Sequence, residues 1–239
     1  MFNDFNNQTP PAYYSQADVA RQTNAVLKRV YVRMFIGLLV SAFCALGVAS
    51  SPAAITFIFG NSIIFWGMFI ALFAMAILIP TRMHKMSSST VLLLFIVYAA
   101  LMGVFLSSIF MVYRISAIVS TFFISAGTFG AMSVYGYFTK TDLTKMGSFL
   151  YMALFGLLIA MLVNLFLKSA AMDYVVSIIG VLIFIGLTAW DTQQVKRLAA
   201  ANLDPALADK LATMGAMDLY LDFINLFLFL LRIFGGNRD

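Results

Sequence analysis

Apolar runs long enough to cross a bilayer recur along the whole chain, and no other feature limits its fold as tightly. They fall at residues 34–50, 55 or 63–79, 91–112, 115–138, 147–167, 174–190 and 216–234. A spanning helix needs about 20 such residues. Lipid offers no hydrogen bonds to the backbone, so only helices and closed barrels span. A barrel would show alternating strands of roughly ten residues, whereas these runs are continuously apolar. The expected fold is therefore an all-α membrane protein, a bundle of seven transmembrane helices joined by short loops. With 62% hydrophobic and 10% charged residues and a mean hydropathy of +0.95, the chain has too little polar surface to cover a soluble globule.

The flanks divide the chain into a polar tail and juxtamembrane segment at 1–33, a transmembrane domain at 34–235 and a short tail at 236–239. Asn6, Asn7, Gln8, Thr9, Pro10 and Pro11 mark the beginning as disordered, and Lys28, Arg29 and Arg33 mark a basic juxtamembrane helix. A secretory leader would carry its basic region near the start, so the first span is read as retained. Eleven Lys and Arg flank one side of the spans, among them Arg82, Lys140, Lys196 and Lys210, and four the other. The positive-inside rule then places the N-terminus in the cytoplasm and the C-terminus outside. This distribution also accounts for the net charge of +5 without nucleic acid. Cys44 stands alone, which excludes an intrachain disulfide and a cysteine metal site. Residues 192–214 read as the longest loop, with a short surface helix at 203–211. Gly103, Gly127, Gly130, Gly156, Gly180 and Gly186 suit close packing of helices.

Against this background the acidic residues stand out. All ten are Asp; Asp173 flanks a span and six others fall in tails or loops, which leaves Asp191, Asp218 and Asp222 close to or within spanning sequence. A carboxylate there costs about 2.5–3.5 kcal/mol on insertion scales, and such residues face protein or water. Asp218, Asp222 and Asn225 follow helical spacing and share one face. Asp191 ends the preceding antiparallel span, on the side where the last span begins. Two carboxyls meeting in a low-dielectric site cannot both ionise easily, so a proton shared by Asp191 and Asp222 would join the last two spans and its loss would repel them. That is the physical basis of a pH-sensing gate. The ionised oxygens are hard ligands for weak Ca²⁺ binding, too few for a tight cage but sufficient for a leak. Asp218 and Asn225 are accessory candidates, Asp218 also reading as a helix-start acid. Arg82 is a candidate counter-ion, with an interfacial anchor as the plainer reading. His84 has no second His with which to form a metal site. Tyr135, Tyr137, Trp190 and Tyr220 read as belt or packing residues. An intramembrane aspartyl protease is disfavoured, because Leu219-Tyr220-Leu221 precedes Asp222 where those enzymes have Gly-x-Gly. Pro205-Ala206-Leu207 lies between the acids rather than after them. No enzyme activity and no cofactor are expected.

The string Leu219-Tyr220-Leu221-Asp222-Phe223-Ile224-Asn225-Leu226-Phe227, then Leu230-Leu231-Arg232-Ile233-Phe234-Gly235, resembles the signature of the Bax inhibitor-1 family. Gly186-Leu187-Thr188-Ala189-Trp190-Asp191-Thr192-Gln193 resembles its sixth-span ending, which commonly has Tyr where Trp190 stands. Phe129-Gly130-Ala131-Met132-Ser133-Val134-Tyr135-Gly136-Tyr137 and Thr139-Lys140-Thr141-Asp142-Leu143 are similar to the fourth-span segment of bacterial members. The resemblance runs from about Leu27 to Gly235. It implies a bundle with the last helix central and, in bacterial members, a pH-sensitive Ca²⁺ leak across the inner membrane. The family's paired aspartates correspond to Asp191 and Asp222, and its basic residue near the end of span two best matches Arg82. Asp218 has no counterpart in that pattern. The resemblance also implies an alternative: a non-conducting regulator of a membrane protease or of a stress or cell-death pathway. The expected partners are thus the lipid bilayer, Ca²⁺ and protons, and a membrane protease under the alternative.

Overall fold

The computed structural model describes residues 16–201 and 204–235, with side chains from Ala20 onward. The polar tail before Gln16 and the tail at 236–239 lie outside the described residues. The chain forms α1 (Gln16–Ala49), α2 (Pro52–Phe59), α3 (Ser62–Arg82), a 3₁₀ turn (Met83–Lys85), α4 (Ser88–Leu106), α5 (Ile109–Val112), α6 (Ile115–Phe138), α7 (Thr144–Leu167), α8 (Ala170–Ala199) and α9 (Pro205–Phe234). Seven of these, counting α4 with α5, are long and apolar enough to cross a membrane.

Short polar residues start the helices. Ser51, Asn61, Ser87, Ser169 and Asp204 each accept a hydrogen bond from a backbone N–H of the following turn. That satisfies donors which would otherwise be orphaned. Proline in the first turn, where its missing N–H is harmless, adds to this at Pro52 and Pro205.

These caps explain where the elements depart from the apolar runs. The second run divides at Gly60 and Asn61, leaving α2 as a short piece before the span. The expected loop at 192–214 is corrected: α8 continues to Ala199 and α9 starts at Pro205, so only residues 200–204 connect them. The surface helix expected at 203–211 is the opening stretch of α9, apart from Leu203, which lies outside the described residues. Hydropathy marks the length of a helix in lipid and is silent about helical turns that project into water.

The last helix is the axis of the bundle. In its most apolar stretch 78% of residues are buried, against at most 33% in any other span. It packs on α1, α4, α6 and α8. The outer spans turn Phe43, Ile63, Phe123 and Phe166 outward, as a lipid-facing surface requires.

Tyr220, fully buried, joins three helices at the centre. With the Ser41 proton directed at the carbonyls of Gly37 (3.0 Å) and Ala99 (2.7 Å), the Tyr220 hydroxyl donates to Ser41 Oγ at 2.7 Å. The Phe95 and Tyr98 rings stand edge-on to its ring at 5.6 and 6.2 Å. Close crossings depend on glycine at Gly103, where an added Cβ would lie 2.4 Å from the Ser41 carbonyl oxygen, and at Gly136. Gly127, Gly130 and Gly156, expected to serve the same end, have nothing within 4 Å of that position.

Among the described residues one backbone position is strained. Lys168 caps α7 in the left-handed region, with φ at 49°. A side chain there costs about 1 kcal/mol or more, which glycine avoids. Lys168→Gly is therefore expected to stabilise the protein by about 1 kcal/mol, read as a higher thermal midpoint in lipid-free detergent. An unchanged or lower midpoint would remove the strain argument.

Candidate functional site

The site is assembled where α8 leaves the bundle and α9 enters it. Asp191 is 6% exposed and Asp222 4% exposed, and their carboxyl groups lie close enough to interact, so that a hydrogen bond can join them. Carboxylate oxygens only accept, so such a bond exists only while one carboxyl holds a proton. Asp222 Oδ2 is sealed from solvent and has no partner of its own.

Asp218 lies one turn nearer the start of α9. It is exposed, unlike its neighbours, because it lines a cleft of about 280 Å³ together with Asp191. Val26 of α1, Pro80 and Met83 at the end of α3, and Met214 of α9 supply apolar wall. The cleft reaches Asp191 and Asp218 but not Asp222, which stands behind them. Trp190, next to Asp191, packs against Gly147 and lies edge-on to Tyr151 at 5.4 Å.

Two candidates, the accessory Asn225 and the counter-ion Arg82, are not brought into contact with the pair. Asn225 turns back on its own helix and donates from Nδ2 to the Leu221 carbonyl at 2.8 Å. Helical spacing put it on the right face, but an amide in an apolar helix can satisfy itself on the preceding turn. Arg82 is exposed and forms no ion pair with Asp191, Asp218 or Asp222 among the described residues, while Pro80 and Met83 turn to the cleft. Its place at the end of α3 is that of the plainer reading, an interfacial anchor. His84 is exposed in the 3₁₀ turn. Among the described residues, no three His, Cys, Asp or Glu are grouped to hold a metal ion.

The cations near the cleft serve other carboxylates, a role that spacing did not reveal. Arg33 bridges α1 to α9 through the Asp209 carboxylate (2.6 Å), the Asp209 carbonyl (2.7 Å) and Thr213 Oγ1 (2.8 Å), and Arg29 adds a contact of 3.2 Å. Gln193 donates to the Thr141 carbonyl at 2.8 Å and accepts from the Leu143 N–H at 2.9 Å, tying α8 to the turn between α6 and α7. Arg197 adds a 2.6 Å bond to Asp142. The Thr144 hydroxyl, Arg197 and the Thr144 N–H together hold the Asp142 carboxyl well below its ordinary range. For a depressed carboxyl the linked stability is present above its unfolded pKa and lost only as pH falls through the folded value. Asp142 therefore stays ionised around neutrality.

Over residues 23–239 the chain matches the family described as Inhibitor of apoptosis-promoting Bax1. It is 47% identical to Inner membrane protein YbhL of Escherichia coli strain K12 over 214 residues, 89% of this chain and 92% of that protein. It is 46% identical to an uncharacterised protein of Borreliella burgdorferi over 217 residues, 90% of this chain and 94% of that one. Protein YrjE of Lactococcus lactis is 39% identical over 227 residues, 90% and 94% of the two chains. With the match extending across every span and both helices of the aspartate pair, the chain belongs to the Bax inhibitor-1 family.

Proposed function

We propose that the protein is a pH-sensitive cation leak, with Ca²⁺ as its cargo and the Asp191–Asp222 hydrogen bond as its gate. The observation that carries this reading is a buried carboxyl pair closing the inner end of a cleft whose mouth holds a third carboxylate, Asp218. While the proton is shared, α8 and α9 are joined. Its loss leaves two like charges that repel by about 4 kcal/mol at 4 Å in a partly screened site, enough to drive the helices apart. Asp218 and Asp191 then offer oxygen ligands that bind the cation weakly enough to let it pass.

The pair is a latch and not a catalytic dyad. Leu219 and Tyr220 beside Asp222 are wholly buried, which leaves no place for a substrate backbone. The basic flanks put the cleft on the cytoplasmic side of an inner membrane, the N-terminus inside and the C-terminus outside. Because Asp142 stays ionised around neutrality, it contributes nothing to a response there.

The test is Ca²⁺ entry into proteoliposomes as pH is raised across neutrality. Flux is expected to rise in the natural protein. In Asp222→Asn an amide N–H replaces the shared proton, so flux is expected to be low and unresponsive. Equal flux in both proteins at every pH would remove the gate and leave a non-conducting, partner-binding role.

A further inference from the structure

At the opposite end of the bundle a second cavity, of about 360 Å³, opens between the end of α7, the start of α8 and the end of α9. Its chemistry differs from that of the aspartate cleft. Lys168 and Arg232 line it with Asp173 and Asn164, a local charge of +1. The Lys168 ammonium has no hydrogen bond or ion pair among the described residues. Arg232 approaches Asp173 only to 3.6 Å, beyond good hydrogen-bond reach, so its N–H groups are not used up by that carboxylate. The guanidinium is held instead over the Phe229 ring at 5.5 Å. Asn164 spends its oxygen on the Ser169 N–H at 3.1 Å, which leaves its amide N–H groups to donate. Burial pushes the nearby Tyr113 hydroxyl above its ordinary pKa against the lowering by Arg232, so it adds no negative charge.

Donors thus exceed acceptors, and the surroundings say where the matching anion comes from. Met161, Leu165 and Val176 supply apolar wall, and the outward face of α7 beside them, with Leu162, Leu165 and Phe166 exposed, is a surface for acyl chains. Lys168 stands one residue past the end of the span, at headgroup level. It keeps a long cationic side chain at a left-handed position where glycine would be easier.

We propose that this cavity is a binding site for an anionic phospholipid, its phosphate held by Lys168, Arg232 and Asn164 and its chains lying along α7. A guanidinium suits phosphate oxygens, and a lysine adds a point charge. Asp173 sets the affinity by competing for Arg232.

The test is native mass spectrometry of the purified protein released from mixed micelles of phosphatidylglycerol and phosphatidylethanolamine. Phosphatidylglycerol is expected to be retained selectively. Lys168→Gly, expected to fold more stably than the natural protein, should retain roughly fivefold less, as one lost cation implies. Asp173→Asn should retain more, because it frees Arg232. Unchanged retention in Lys168→Gly, retention without headgroup preference, or full displacement by inorganic phosphate at equal concentration would each overturn the site.

Discussion

Gly136→Leu is expected to leave no folded protein. The first atom of any side chain at Gly136 would lie 2.2 Å from the Ala189 carbonyl oxygen and 2.9 Å from that residue's carbonyl carbon and Cα. These are backbone atoms, which cannot turn aside as a side chain does. To make room, α6 and α8 must separate, and α8 is packed on α9 as well. Overpacking of this kind costs about 3 kcal/mol even for a methyl group, and an isobutyl group adds several more. Gly136→Ala should therefore fold poorly and Gly136→Leu not at all. Size-exclusion chromatography of a fluorescent fusion in detergent checks this, with Gly136→Leu eluting as aggregate. A monodisperse peak with the natural thermal midpoint would show that the helices do not cross so closely. Because Ala189 lies two residues before Asp191, milder changes at Gly136 should also displace the latch.

Tyr220→Ala is expected to destabilise the protein by about 3–5 kcal/mol, the range for removing a large buried ring. The cavity would open among α1, α4 and α9, with the Phe95 and Tyr98 rings losing their edge contacts. Tyr220→Phe keeps the ring and loses only the bond to Ser41 Oγ, so about 1 kcal/mol is expected. Ser41 retains its two carbonyl acceptors in either case. The ordering of the two thermal midpoints is the readout. Equal losses would mean that the hydroxyl, and not the ring, holds the junction.

The distance between these interactions in sequence explains which of them were legible beforehand. Seven spans followed from apolar length alone, and the spacing of Asp218 and Asp222, with Asp191 one span earlier, pointed to the carboxyl pair. Local signals also marked the true start of α9, since Asp204-Pro205 is a cap followed by a first-turn proline. Hydropathy outweighed that signal in the expectation of a loop. The Tyr220–Ser41 bond and the Arg33–Asp209 bridge join residues 179 and 176 positions apart, and no periodicity within one helix reveals such partners. Asn225 stays away from the pair for a third reason: helical spacing assigns a face, whereas a polar side chain takes its own direction from that face, here back to the Leu221 carbonyl.

The buried position of α9 has a consequence for how the protein is made. Chains leave the ribosome from the N-terminus, so six spans enter the membrane before the central helix exists. Until it arrives, Asp191 lacks its partner on α9, and the contacts of α1 with α4 and α8, of α3 with α4, and of α6 and α7 with α8 are those available to hold the early helices. A smaller contact between α1 and α8 links the two halves, and α9 fills the space between them. A ribosome that stalls within residues 205–234 would thus release an unclosed ring with its polar seam uncovered, a natural target for membrane quality control.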